Sequence, residues 1–376
     1  MKKNYISALA VLACVAVFCT ISCNGFHQMG TATEEIIPGE CVTEVRMLSD
    51  YFPDLAGTAG DTQIYVLQGE QEGGSCLILG GTHANELGGH MGAVLFVENA
   101  KVEAGTLYVI PRTNNSAFTH NDPQEGHPST VHITTDEGNV REFIHGSRAT
   151  NPVDQWPDPD VYVNYMGQSL SGSENRNINR TYPGKADGTL TEMMSYGIVQ
   201  LINTENIDVT VDLHEASPEY PVINALIAHE RAMNLAANVV VDMQMEGGQI
   251  SREPSPTDLR GLTHRELGDH TDTLALLMEA PNPAQGRLRD RTDEALVLTG
   301  KSETYVKAGE IGQLYVPYDE NGWPIEVRCA RHVFGIERIL ANYSEMYEEP
   351  IIVTGMPSYD ELVKNGMGPY LNEPTT

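Results

Sequence analysis

His83 and Glu86 stand three residues apart in residues 77–90, LILGGTHANELGGH, and theirs is the one H-x-x-E among the 12 histidines of the chain. A histidine and a carboxylate one helical turn apart can both face a metal ion. Alone the spacing is weak, because about one such pair is expected by chance with this many histidines. Its context is stronger: His83 follows the apolar run LILGGT, His214 follows VTVDL, and Glu279 follows TLALLM. In open parallel sheets the ligand site lies outside the carboxyl ends of the strands, so residues remote in sequence can converge there. Zinc in a hydrolytic site usually keeps three protein ligands and a fourth position for water. His83, Glu86 and a distant histidine such as His214 would supply the three. A carboxylate outside that set, for which Glu279 is the candidate, would take a proton from the water and pass it to a leaving amine.

The elements that must hold these residues follow from hydrophobic periodicity. Residues 62–67 (TQIYVL) and 75–79 (SCLIL) are predicted strands, with the turn-rich QGEQEGG between them suggesting a hairpin-like connection. A helix is predicted over about 86–99 and a strand over 106–111, which makes a βαβ unit and argues for a largely parallel sheet. Residues 112–182 lose all periodicity and are polar and rich in Gly and Pro, as expected of a long loop walling a site. Further on, helices are predicted over 191–203, 230–245, 293–304 and 332–347, and strands over 208–213, 222–228 and 273–278. The polar run THRELGDHTD, with His264, Asp269, His270 and Asp272, has no tight ligand spacing and reads as a solvated loop. The expected class is α/β: a three-layer α/β/α domain over 46–290 with a mixed, mostly parallel sheet, a long insertion at about 112–178, and a C-terminal extension over 291–376 packed on the same domain.

Composition narrows the partners. With 52 acidic against 23 basic residues the formal charge is −29, which repels nucleic acid and anionic lipid, and an anionic small substrate would need a local arginine. Lys2 and Lys3 precede an apolar run over 5–21, the pattern of an export signal, and residues 23–45 read as a polar tether. The run ends TISC, which resembles a lipoprotein box with Cys23 as the lipidated residue, although Thr20 stands where Leu is usual. Cys41, Cys76 and Cys329 lie beyond it, an odd number that implies no disulfide framework, and Cys76 fits as a small core residue. H-E-x-x-H, G-x-S-x-G and Gly-rich phosphate loops are all missing from the sequence.

Four stretches in order, GGTHANELGG, NRTYPG at 179–184, DLHE at 212–215 and MEAPNPAQGRLR at 278–289, resemble the signatures of the aspartoacylase/succinylglutamate desuccinylase branch of the zinc-carboxypeptidase superfamily. The resemblance spans roughly residues 60–290. It implies His83, Glu86 and His214 as Zn2+ ligands, Glu279 as general base and acid, and Asn179 with Arg180 as the pair that binds the free carboxylate of a substrate. It also implies an arginine upstream of that pair for the oxyanion, with Arg176 and Arg112 as the two candidates. The implied activity is an exported zinc-dependent amide hydrolase, a deacylase of N-acyl amino acid type, with a carboxypeptidase acting on peptides, cell-wall peptides among them, as the alternative. A different class is a binding lipoprotein that keeps the fold without turnover. Three departures bear on the substrate: the long insertion, the acidic Glu215 after His214, and no evident C-terminal β domain in 291–376.

Overall fold

The computed structural model describes residues 2–31, 34–121 and 128–374. Helix α1 (Lys2–Thr31) is apolar, exposed, and by length and composition able to cross a membrane. It runs beyond the expected signal into the expected tether. From Glu34 onward the chain is docked: Glu34 accepts from His90 Nε2 at 2.6 Å and from Ile144 N at 2.8 Å, and Gly39 N donates to Val97 O at 3.0 Å. The stretch reads as a tether because it is polar, but its polar groups are matched to buried partners.

Strands β1 (Glu44–Met47), β2 (Gln63–Gln68) and β3 (Gln71–Leu79) lead into helix α2 (Leu87–Asn99) and strand β4 (Lys101–Ile110). β3 and β4 are parallel, as the βαβ reading requires, whereas β2 runs antiparallel to β4. β4 therefore lies between β2 and β3, and QGEQEGG is not a hairpin turn. β2 and β3 both bury side chains on two faces, so each needs a neighbour on either side and cannot form an exposed ribbon.

The insertion is more structured than its composition suggests. It carries two antiparallel hairpins, β5 (Thr130–Thr134) with β6 (Val140–Ile144) and β7 (Val161–Val163) with β8 (Ser169–Ser171). Val131 and Phe143 join the main core, and Phe118 with Ala117 and Ile144 packs against Ala84 of the motif turn, which anchors the insertion to the site. Then follow α3 (Leu190–Glu205), β9 (Val209–Ala216), β10 (Ala225–Ala228), α4 (Met233–Met245), β11 (Ser251–Pro254), α5 (Thr263–His270) and β12 (Leu274–Pro281). The polar run THRELGDHTD is thus mostly helix α5. Its charges are satisfied in pairs, Arg265 with Glu230 and Asp269 and Arg260 with Glu266, which lets a charged segment pack against the sheet. The chain ends with α6 (Glu294–Thr299), α7 (Glu303–Glu310), α8 (Ile325–Tyr347), β13 (Ile352–Thr354) and α9 (Tyr359–Asn365).

The main sheet has the order β1-β2-β4-β3-β9-β12-β10-β11, with β13 added to β4. Its centre, β4-β3-β9-β12, is parallel, and antiparallel pairings flank it. Alternation along β3 sends Cys76 and Ile78 to one face, against α2, α4 and α8, and Leu77 and Leu79 to the other, against α3 and α5. This is a three-layer α/β/α arrangement, and the C-terminal α8 belongs to one of its outer layers. The glycines of the opening motif permit its tightest approach. A Cβ at Gly89 would lie 2.4 Å from Leu213 O, and one at Gly88 the same distance from Glu215 Oε1, so α2 can rest directly on the strand that carries His214.

Candidate metal centre

β3, β9 and β12 are adjacent and parallel, so their carboxyl ends open on one edge. His214 and Glu279 are register partners on β9 and β12, and side chains in register on parallel strands share a face. His83 and Glu86 sit in the turn between β3 and α2, with Glu86 as the residue that enters the helix. His83, Glu86 and His214 form a buried group whose ligand atoms lie within 4.8 Å of one another. Glu86 is the bridge: Oε1 is 2.7 Å from His83 Nδ1, and Oε2 is 2.9 Å from His214 Nδ1.

Both imidazoles are oriented from behind. His214 Nε2 donates to Asp212 Oδ2 at 2.8 Å, and Asp212 Oδ1 accepts from Thr82 Oγ1 at 2.6 Å. His83 Nε2 lies 2.9 Å from Asn177 Oδ1, which can only accept, so the ring proton belongs on Nε2. Both Nδ1 atoms therefore face the Glu86 carboxylate across short contacts that need a shared cation, a proton or a metal ion. Burial, with Arg148 adding to it, pushes His83 down to about 4. Burial also disfavours charge on His214, but Asp212 and Glu86 outweigh it and hold this histidine well above its ordinary value. For Glu86 burial is again opposed and overcome, here by the two histidines, and its pKa falls well below the carboxylate range. A buried N/O/N donor set with a neutral imidazole, an ionised carboxylate and a carboxylate-backed histidine fits Zn2+.

Glu279 is different. It is partly accessible, yet among the described residues its buried Oε2 has no hydrogen-bond partner. Burial raises its pKa to about 8, with Glu86 and Asp212 adding like charge against the opposing pull of His214 and Arg148. Such a carboxyl is poised to exchange a proton near neutral pH.

The arginines are placed otherwise than the sequence suggests. Arg176 is committed to Asp158 (2.7 and 2.9 Å) and to Thr150 O (2.8 Å), a strut for the insertion. Arg112 is half-buried, stacked over Phe118 at 4.6 Å and close to Glu34 and Tyr65. Among the described residues, neither makes a contact with the cluster. The arginine that does is Arg148, half-exposed, with Nη1 3.7 Å from Glu86 Oε1. Its segment is fixed to the motif turn by Ala84 N donating to Ser147 O (2.9 Å) and Gly146 N to Ala84 O (3.1 Å). Arg180 lies nearby, largely buried. Desolvation lowers its pKa, Arg148 adds to this, and Glu174, Tyr220 and Glu279 oppose it. Nη1 donates to Asn179 O at 2.6 Å and Glu174 is a loose 3.7 Å away. Asn179 turns its Oδ1 to Thr263 N and Oγ1 at 2.8 and 3.0 Å, which leaves Nδ2 to donate elsewhere.

Sequence reasoning missed Asp212, Asn177 and Arg148. Asp212 did leave a trace, because a carboxylate inside VTVDL is costly to bury unless it is paired. Asn177 and Arg148 lie in aperiodic sequence, where nothing marks them. The role of Asp212 gives a direct expectation. Asp212→Asn should weaken zinc binding about 10–100-fold, measured by competition with a fluorescent chelator, because the imidazole loses its orienting carboxylate. An unchanged affinity would mean that His214 does not ligate through Nδ1.

No family model matches the chain, and no curated protein matches it. Among solved structures it is similar to a succinylglutamate desuccinylase from Silicibacter sp. TM1040, at 15% identity and TM-score 0.44, covering 79% of this chain and 63% of that one. It is similar to a metallo-carboxypeptidase from Burkholderia cenocepacia at 13% identity and TM-score 0.45, covering 80% of this chain and 65% of that one. The product-bound cell shape determinant protein Csd4 from Helicobacter pylori matches at 12% identity and TM-score 0.46, covering 81% of this chain and 59% of that one. The chain thus spans about three fifths of the length of these structures.

Proposed function

We propose that the protein is a zinc-dependent amide hydrolase that acts on a carboxylate-bearing substrate, a deacylase of N-acyl amino acid type. One observation carries the reading. Beside a buried His/Glu/His set stands a carboxyl, Glu279, with an unpartnered buried oxygen and a pKa near 8. Zinc, when bound by His83, Glu86 and His214, would polarise the amide carbonyl and acidify a water. The residues of the chain do the rest. Glu279 takes the proton of the attacking water and returns it to the leaving nitrogen. Arg180, desolvated and only loosely paired, grips the free carboxylate of the substrate, with Asn179 Nδ2 beside it. Arg148 offers the cation for charge developing on the carbonyl oxygen, the role that the sequence left between Arg112 and Arg176. Export is part of the proposal, with α1 as signal or anchor and the exposed Cys23 as the lipid attachment point.

The test is a hydrolysis screen of N-acyl amino acids and short peptides with zinc added. Turnover that requires a free carboxylate on the amine half of the substrate is expected. Bound zinc with no turnover of any member would favour the binding-protein reading. Release of a C-terminal amino acid from a peptide in the same screen would favour the carboxypeptidase reading.

A further inference from the structure

Four arginines are buried among the described residues, and three of them face a carboxylate: Arg141 with Glu98, Arg265 with Glu230, and Arg328 with Glu215. The fourth, Arg331 on α8, is 7% exposed and has no ion pair among the described residues. Its hydrogen bonds there run from Nη2 alone, to Asn224 Oδ1 and Gln249 O. The guanidinium also lies over the Trp323 ring at 5.5 Å. Neutral dipoles and a ring face solvate a buried cation but leave it without a counter-ion. Burial accordingly lowers the pKa of Arg331, with the Tyr359 phenol opposing it.

This cation borders open space. Arg331 lines a cavity of about 980 Å3 between the end of α4, the segment before α8, one face of α8 and the start of α9. Trp323, Phe334 and Tyr359 make its walls aromatic, and the Phe334 and Tyr359 rings meet edge to face at 6.1 Å. His83, Glu86, His214 and Glu279 are not among its lining residues. The acids that do line it are mostly committed. Glu246 pairs with Arg338 at 2.9 Å, Asp319 accepts from Asn321 N at 2.8 Å, and Glu361 accepts from Ser358 N at 2.9 Å. Burial pushes Glu337 up to about 7, with Arg338 opposing and Glu246 adding. Asp360 is exposed, where water and salt screen its charge. One negative charge would therefore suit the free edge of Arg331, whereas a dianion would meet these acids at close quarters.

We propose that this cavity is a binding site, separate from the metal centre, for a small monocarboxylate with a flat aromatic body. Arg331 takes the carboxylate, and the ring lies among Trp323, Phe334 and Tyr359. The site is independent of the hydrolase reading, since it shares no residue with the proposed catalytic set. The experiment is isothermal titration calorimetry of the full chain with zinc added, using phenylacetate as the probe and phenylacetamide and phenyl phosphate as comparisons. Phenylacetate should bind saturably, and the neutral amide and the dianionic ester should each bind about tenfold more weakly. Arg331→Gln should weaken phenylacetate by about tenfold. Trp323→Ala alters a half-buried residue outside the helices, and should weaken it several-fold through the lost ring wall. Arg180→Ala should leave the affinity as in wild type, because the carboxylate pair beside Glu279 is a different site. Absent binding, equal binding of the amide or the phosphate ester, or loss of binding in Arg180→Ala overturns the proposal. So does an affinity unmoved by Arg331→Gln. Should Arg331→Gln fail to fold, Trp323→Ala decides: weaker phenylacetate binding supports the site, and unchanged binding overturns it.

Discussion

Glu279→Gln is expected to lower kcat by about 10³-fold while zinc content and the folded state stay as in wild type. The amide matches the carboxyl in size and can occupy the same place beside His214, so the substitution removes proton transfer and little else. Among the described residues Glu279 makes no ion pair and its Oε2 has no hydrogen bond, so the substitution breaks no such bond. A second signature separates this role from a structural one. A general base must be unprotonated, so wild-type kcat/KM should fall on the acid side as pH drops through the pKa of Glu279. The residual activity of Glu279→Gln should lack that limb. Retained activity in the variant, or an acid limb shared by both proteins, would show that another group moves the proton.

The strand ends were the legible part of this site. Apolar runs that stop at His83, His214 and Glu279 announce themselves because a buried parallel strand must be apolar on both faces and then change character where it meets solvent or ligand. Register did the rest, and no sequence pattern prints register: Glu279 faces the same way as His214 because β12 pairs with β9 in parallel. The arginines were illegible for a related reason. Arg112, Arg148 and Arg176 all lie in or beside the aperiodic insertion, and only the hairpins and backbone bonds of the folded insertion bring Arg148 to Glu86 and turn Arg176 to Asp158. The C-terminal part, read as an extension packed on the same domain, contains α8, and nothing in its sequence marks the buried cation that α8 extends to Glu215, the neighbour of His214.

That cation is Arg328, and Arg328→Met is expected to destabilise the fold by about 3–5 kcal/mol. Arg328 and Glu215 have no side-chain exposure and meet at 2.9 Å. Glu215 lies next to His214 in sequence, accepts from Gly88 N at 3.0 Å and from Asn282 Nδ2 at 3.0 Å, and its own backbone N donates to Glu86 Oε2 at 2.9 Å. Burial already raises the pKa of Glu215, and the Arg328 charge is what chiefly pulls it back. Without the guanidinium the carboxyl must either remain as an unpaired buried charge or take up a proton, and each is costly. Because Glu215 holds both the start of α2 and Glu86, the loss should reach the proposed metal site. Urea denaturation of metal-free protein should show the destabilisation, and chelator competition should show weaker zinc binding. The double variant R328M/E215Q removes both charges and should recover a good part of the stability, since a neutral amide can still serve Gly88 N. If the double variant were no more stable than Arg328→Met, the cost would lie in lost packing of the long side chain and not in the stranded carboxylate, and α8 would be only a cover for the sheet. Recovery of both stability and zinc affinity would instead make Glu215 and Arg328 a support built under the metal ligands, one that ties the C-terminal helix to the chemistry at the ends of β9 and β12.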